Sequence, residues 1–338
     1  MTGLAAAHQT AYRNSSYRLH RTAERKAGYG RFSVRSCPEI NIYPRSKDSV
    51  FIDFACGTGG FLVCALEHLR KQVKNIEDEA KLQTSVLGVE KKPLPHMLCT
   101  TNMILHNIDN PQIKHDNSLS YPVKDIKARD KVDIILTNPP FGGIEEDGIE
   151  DNFPANYKTK ETADLFLVLL MYKLKQTGRA AIVLPDGFLF GEGVKTAIKE
   201  KLLSEFNLHT IVRLPNGVFA PYTGINTNLL FLERGITQEI WFYEHQLPEG
   251  YKNYTKTKPI KLDEFEAEKA WWNARKETEC VWKVSIDEVK ARGYNLDFKN
   301  PSTQLEQSIP SPEEVIRKTS DCLTRSRQIL LEIEELLK

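Results

Sequence analysis

The sequence predicts an α/β fold: a mostly parallel sheet with helices on both faces, an antiparallel edge and a C-terminal helix. Three observations predict it. Short apolar runs alternate with stretches of helical spacing from Val50 onward. A glycine-rich turn follows the first apolar run directly, the arrangement of strand-to-helix junctions in open α/β sheets. The late apolar runs lie close together in sequence, which suits antiparallel neighbours.

A chain of 338 residues with 41% hydrophobic residues supports one large core plus appendages. The net charge is +1. A protein that grips nucleic acid unaided usually carries a strong basic excess, so such a role here needs a partner to supply phosphate contacts. The cysteines Cys37, Cys56, Cys64, Cys99, Cys280 and Cys322 contain no C-x-x-C pair, which argues against a zinc site. Their sparse spacing predicts reduced thiols and a cytoplasmic compartment. The strongest apolar run, Leu165–Met171, is far too short to span a membrane.

Residues 1–47 carry nine Lys/Arg against Glu24 and Glu39, a formal charge of +7, and read as a flexible basic arm. The run Val50–Phe54 reads as a buried strand entering the turn. Phe61–Arg70 has helical spacing, with Leu62, Ala65, Leu66 and Leu69 on one face. Lys71–Lys81 reads as a charged insertion. Ser85–Glu90 is a second strand. Pro95–His106 suits a helix with Met97, Leu98, Thr101 and Leu105 inward. A third strand is expected just before Asp116. Val132–Leu136 is the fourth strand, Ala163–Lys175 a largely buried helix, and Arg179–Leu184 and His209–Leu214 further strands. Asn228–Leu232 and Glu239–Tyr243 add the late strands. Residues 245–300, rich in polar and aromatic side chains, are expected to wrap this domain, giving it bounds of 48–300. After Pro310-Ser311-Pro312, residues 311–338 form an amphipathic helix with Leu323, Ile329, Leu330, Ile333, Leu336 and Leu337 on its apolar face, a handle for a partner or for its own domain.

The turn Ala55-Cys56-Gly57-Thr58-Gly59-Gly60-Phe61 lets backbone approach a ligand closely, and the helix after it favours a negative group. Sites for NAD, FAD and S-adenosylmethionine all use such a turn. A phosphate-binding P-loop is excluded because no Gly-Lys-Ser/Thr follows Gly60. Glu90, at the end of the second strand, can accept both hydroxyl hydrogens of a ribose. Asp116 and its neighbour Asn117 follow the third strand; Asp116 could hold a cofactor's adenine amino group or simply make a turn. Asp53, inside the first strand, must find donors: glycine-turn amides, the cofactor's amino group, or both.

Asn138-Pro139-Pro140-Phe141 is the most specific signal. It ends the fourth strand on the rim that carries the glycine turn. The prolines stiffen the backbone and remove two N–H donors. The Asn138 side-chain oxygen and the Pro139 carbonyl can then both point out as acceptors. An amine conjugated with a purine ring is a poor nucleophile. Acceptors on its two hydrogens raise electron density on nitrogen and orient it for in-line methyl transfer. Phe141 offers a stacking face for a base swung out of the duplex. None of the cysteines sits in a nucleophile motif, and His106, His115 and His209 read as ordinary histidines. Trp241, Phe242 and Tyr243 read as core.

The runs Phe54–Phe61, Glu90 and Asn138–Phe141 resemble the adenine amino-methyltransferases. Gly88–His96, Thr137–Gly143, Ala163–Phe166, Leu184–Phe188 and Leu214–Phe219 narrow the resemblance to the modification subunit of type I restriction–modification systems, over roughly residues 49–300. It implies a Rossmann-like methyltransferase domain that uses S-adenosylmethionine to methylate the N6 amine of adenine in DNA. It also implies a cytoplasmic bacterial or archaeal host, a separate DNA-specificity subunit as partner and often a restriction subunit. By the same resemblance Thr223–Asn228 helps line the target-base pocket, and the last helix binds the specificity subunit. Two departures stand out. Phe54 replaces the family's usual proline after the motif Asp, and the family's N-terminal helical domain with its Phe-x-Thr-Pro segment is reduced to a trace at Gly30–Val34, so the N-terminal part reads as truncated or divergent. Two other readings stay open: a methyltransferase acting on RNA or protein, whose tetrapeptide usually ends in Tyr, and an inert member that only docks a specificity subunit. A nicotinamide-dependent dehydrogenase would leave Asn138–Phe141 without a task.

Overall fold

The computed structural model describes residues 48–302 and 312–336; the basic arm expected over 1–47 lies outside them. Among the described residues, nine strands make one sheet in the order β3-β2-β1-β4-β5-β7-β6-β8-β9. The strands are β1 (Phe51–Asp53), β2 (Val86–Glu90), β3 (Gln112–His115), β4 (Val132–Thr137), β5 (Leu174–Pro185), β6 (Phe206–Arg213), β7 (Thr227–Arg234), β8 (Glu239–Glu244) and β9 (Val281–Ser285). Strands β1 to β5 run parallel, so every C-terminal end lies on one rim. Chain order reverses between β1 and β4, and open α/β sheets bind their ligands in the crevice at such a point.

The sheet has the expected antiparallel edge, but other strands than expected form it. β7 runs antiparallel between β5 and β6, inside the sheet, and β8 is parallel to β6. The antiparallel strand at the edge is β9, drawn from the segment expected only to wrap the domain. The reason is the short β7–β8 link: β8 passes over β6 to reach its far side, and β9 then covers the edge that β8 would expose.

The α-helices among the described residues are α1 (Gly60–Arg70), α2 (Ile76–Ser85), α3 (Pro93–Leu105), α4 (Thr162–Lys173), α5 (Asp186–Phe190), α6 (Val194–Glu205), α7 (Glu266–Asn273), α8 (Ile286–Ala291) and α9 (Pro312–Leu336). Side chains alternate between two cores along each central strand. Ile135 faces the core with α4 and α6, while Ile134 and Leu136 face the core with α1 and α3. Burial on both faces explains why the central strands read as continuous apolar runs. α4 is buried from Thr162 to Met171, a run that is apolar on every side apart from Thr162 and Asp164, and Asp164 is paired with the Lys195 ammonium.

The charged stretch after Lys71 contains α2, capped by the Asn75 side chain accepting from the Asp78 amide at 2.9 Å and opened by Glu77, Asp78 and Glu79. α3 is turned relative to expectation. Met97 and Thr101 are exposed, Leu98 and Leu105 half-buried, and Cys99, Asn102 and Met103 face inward. This small, partly polar face is selected because α3 packs against the glycine turn rather than against bulk apolar core. The chain divides after Phe298 into two compact units. In the second, α9 has Leu323, Ile329, Leu330 and Ile333 exposed. Among the described residues no helix is long and apolar enough to cross a membrane, and the five cysteines are free thiols.

Candidate cofactor and target-base site

Four loops meet on the rim around the β1/β4 crevice. The β1 loop is tied to β2: the Cys56 amide donates to the Val89 carbonyl at 3.0 Å and the Gly57 amide to Glu90 Oε2 at 2.9 Å. The β3 loop is tied to both, through the Asp116 amide to the Glu90 carbonyl (3.1 Å) and the Ser118 hydroxyl to the Phe54 carbonyl (2.7 Å). β4 joins through Thr137, whose hydroxyl donates to Asp53 Oδ1 at 2.8 Å.

The turn itself needs glycine at two positions. Gly57 adopts φ +54 over open space, and Gly59 adopts φ +86 with its α-carbon so placed that a β-carbon would sit 2.8 Å from Cys99 Sγ. Both conformations disfavour side chains. The Asn102 amide on α3 donates to the Thr58 carbonyl at 3.0 Å and steadies the turn from behind. Gly60 begins α1, whose N-terminus has no side-chain cap, leaving backbone N–H groups for a ligand's anionic group. Ala55 donates its amide to Asp53 Oδ1 at 3.0 Å. Cys56 and Phe61 are placed differently from ligand-facing residues. The Cys56 thiol lies 3.6 Å from Cys99 Sγ, and the Phe61 ring is core, so both contribute backbone alone.

The carboxylates differ in state. Burial pushes the Asp53 carboxyl up to about 7, with the negative charge of Glu90 adding to the push and the bonds from Ala55 and Thr137 opposing it. A cationic group arriving at the turn would pull it back down. Glu90 accepts from Gly57 on one oxygen and from the Lys92 amide on the other at 2.8 Å, which fixes the carboxylate on the rim with lone pairs remaining. At Asp116 burial works upward, but the Lys114 ammonium, the Tyr121 hydroxyl and the Asn117 amide outweigh it and hold the carboxyl below its usual range. Beneath Asp116 and Asn117 a groove of about 620 Å³ runs over the β1–β3 face, lined by Ile52, Leu87, Ile126 and Leu169. It reaches neither the glycine turn nor Glu90.

Asn138-Pro139-Pro140-Phe141 leaves β4 on this rim. Asn138 Oδ1 is buried and has no hydrogen-bond partner, a costly state for an acceptor unless a ligand supplies the donor. Phe141 meets Phe219 edge to face, with ring centroids 5.1 Å apart. Phe219 lies midway along the loop between β6 and β7. That loop is seated on residue 254: the Tyr254 amide donates to the Asn216 carbonyl at 3.1 Å, and a β-carbon on Gly217 would lie 2.0 Å from the Tyr254 carbonyl oxygen. Thr223–Asn228 returns beside it. The Asn226 carbonyl accepts from the Asp186 amide at 3.0 Å, and the Asn228 side chain donates to Asp186 Oδ1 at 2.7 Å.

A family model of N-6 DNA methylases matches residues 36–308. The chain belongs to the N-6 DNA methylase family. It is 57% identical, over 81% of its length, to the type I restriction enzyme EcoEI methylase subunit of Escherichia coli, and covers 57% of that protein. It is 30% identical to the EcoKI methylase subunit of Escherichia coli K12, covering 65% of this chain and 45% of that one. The chain thus spans about half the length of these curated relatives. Among solved structures, a modification subunit assigned to a type I restriction enzyme of Vibrio vulnificus is 45% identical with a TM-score of 0.79, over 88% of this chain and 66% of that one. A subunit of a type I restriction–modification assembly is 35% identical with a TM-score of 0.80, over 97% of this chain and 71% of that one.

Within the methylase fold, sequence reasoning set Glu90, Asp116 and Asn138 at strand ends and Asp53 inside the first strand, of which it is the last residue. It missed the pairing of Phe219 with Phe141 and the seat formed by Tyr254. The signal for Phe219 was an aromatic closing the Leu214–Phe219 run just after a strand; nothing local to Tyr254 announces its partner.

Proposed function

We propose that this chain transfers a methyl group from S-adenosylmethionine to the exocyclic N6 amine of adenine in DNA, as the modification subunit of a type I restriction–modification complex in the cytoplasm. Residues 48–300 act as the methyltransferase domain and the C-terminal helix as the contact for the specificity subunit, with a restriction subunit as a further partner. The observation that carries this reading is the buried, partnerless Asn138 Oδ1 beside a glycine turn flanked by two acids.

S-adenosylmethionine, when bound, supplies an electrophilic methyl on a positively charged sulfur. Glu90 would hold its ribose, Asp53 its amino group, the Gly59–Gly60 helix start its carboxylate, and Asp116 with Asn117 its adenine. Asn138 Oδ1 and the Pro139 carbonyl take the two amine hydrogens of the target base and hold its nitrogen lone pair toward the methyl. Phe141 and Phe219 flank the base and keep water out. The target amine would bond the methyl directly as the carbon–sulfur bond breaks, and its extra proton would then pass to solvent, so no residue needs to form a covalent bond with the base. Phe141 in place of Tyr favours DNA over RNA or protein as substrate.

The test is co-purification with the specificity protein, followed by transfer of labelled methyl to DNA, RNA and protein in parallel. DNA should take the label. Asn138→Ala should lower kcat by at least about 100-fold, the scale of losing one aligned donor or acceptor, with cofactor affinity nearly unchanged. Label on RNA or protein alone, or full turnover by the variant, would overturn the assignment. Absence of cofactor binding by calorimetry would favour the inert docking reading.

A further inference from the structure

Building on the amino-methyltransferase reading, we propose that Glu145 is a positioning residue that keys the Asn138–Phe141 corner to the adenosine side of the cofactor site. Its side chain is only 9% exposed. Oε1 accepts from the Thr162 hydroxyl at 3.0 Å, and Oε2 accepts from the Asn117 amide at 3.1 Å and the Lys91 ammonium at 3.3 Å. These partners come from three places: the start of α4, the loop after β3 and the loop after β2. Lys91 is the chain neighbour of Glu90, and Asn117 of Asp116. One carboxylate therefore touches each loop assigned to adenosine and lies on the loop that carries the methyl acceptor site.

The corner needs such a tie. Beyond Thr137 it has left β4, and its prolines stiffen the backbone without fixing its distance from the other loops. Main-chain bonds seat its far end: the Thr162 amide donates to the Gly143 carbonyl at 3.0 Å and the Glu145 amide to the Lys160 carbonyl at 2.9 Å. A β-carbon on Gly143 would fall 2.8 Å from Thr162 Oγ1, so the chain lies directly on the helix start. Glu145 then reaches across from that seat to the cofactor loops. The Lys91 contact is half-exposed and contributes little; the shielded Asn117 and Thr162 bonds to the Glu145 side-chain oxygens carry the tie. Methyl transfer depends on alignment, and a shift of about 1 Å costs on the order of 100-fold in rate.

The test uses the full-length chain assembled with its specificity subunit, as wild type, Glu145→Gln, Glu145→Asp and Asn117→Ala. Glu145→Gln keeps an oxygen for Thr162 but turns an amide donor toward Asn117 and Lys91. At saturating cofactor its kcat should fall by about tenfold or more while the melting temperature moves by only about 2 °C. Glu145→Asp keeps the charge on a shorter arm and should recover part of the rate. By calorimetry, Glu145→Gln should weaken cofactor binding and Asn117→Ala should weaken it at least as much, since it also loses its own contact to the adenine, with little further loss in the double variant. Unchanged kcat at saturating cofactor, a rate loss that tracks the melting temperature, or fully additive binding losses would each overturn the proposal. A wild-type complex that methylates no DNA would refute the methyltransferase reading itself. The calorimetric cycle would then decide Glu145 alone, sub-additive losses supporting the tie and additive losses overturning it.

Discussion

Asp53 shows how a single side chain can serve the fold and the site with opposite preferences. Its Oδ1 accepts from both Ala55 and Thr137, joining the glycine turn to β4, yet the carboxyl is buried and pushed up to about 7 from an ordinary 3.8. Between those values the folded protein keeps a proton that the unfolded chain has released. Stability therefore falls as pH climbs through that window and levels off above about 7; below the ordinary value Asp53 contributes nothing. Asp53→Asn retains an oxygen for both bonds and removes the buried charge. At pH 8 the cofactor-free variant should be more stable than wild type by a few kcal/mol at most, and at pH 3 the two should coincide. Denaturant midpoints at both values check this; equal midpoints at pH 8 would show that the carboxylate is not strained. The variant should also bind cofactor more weakly, since the charge that burdens the empty fold is the one that attracts an ammonium.

At the scale of elements, the loop after β6 is held from outside itself. Gly217 adopts φ +83 with its α-carbon against the Tyr254 carbonyl, and Tyr254 is in turn fully buried, its hydroxyl donating to Glu264. Gly217→Ala must both enter a left-handed conformation and push a backbone aside. A loss of at least about 2 kcal/mol in urea-induced unfolding is expected, with displacement of Phe219 lowering turnover. Wild-type stability in the variant would mean that the loop moves freely. This coupling also marks where sequence reading stopped. The central strands were legible because both faces are buried, and α1 because Leu62, Ala65, Leu66 and Leu69 repeat on one face. α2 buries Leu82 as its one large apolar side chain, so periodicity concealed it and the stretch read as a charged insertion. In α3, Cys99 and Asn102 face inward because the glycine turn demands small and hydrogen-bonding partners, a requirement set by a segment some forty residues earlier. The rim acids were legible from their positions at strand ends. Phe219 and Tyr254 were not, because their partners are fixed by long-range packing.

For the whole molecule, charge sets the terms on which the proposed contact with DNA could be made. The chain totals +1, and residues 1–47 hold +7, which leaves −6 over residues 48–338. A domain of that sign is repelled by phosphate at long range. The isolated chain should bind duplex DNA weakly with a shallow salt dependence, and the assembly with a specificity subunit should show a much steeper slope of log K against log salt. Fluorescence anisotropy over a salt series checks this, and equal slopes would mean that this chain supplies the phosphate grip itself. On the proposed methyltransferase reading, the site stands without a base between targets. The edge-to-face contact of Phe141 with Phe219 then acquires a second meaning. A base sandwiched between two rings needs faces about 7 Å apart, so the pair must open to admit one. An aromatic contact of this kind is worth only about 1 kcal/mol, a latch that thermal motion releases easily. While shut, the pair would fill the place a base must take, so an adenine would have to force the rings apart before its amine could reach Asn138.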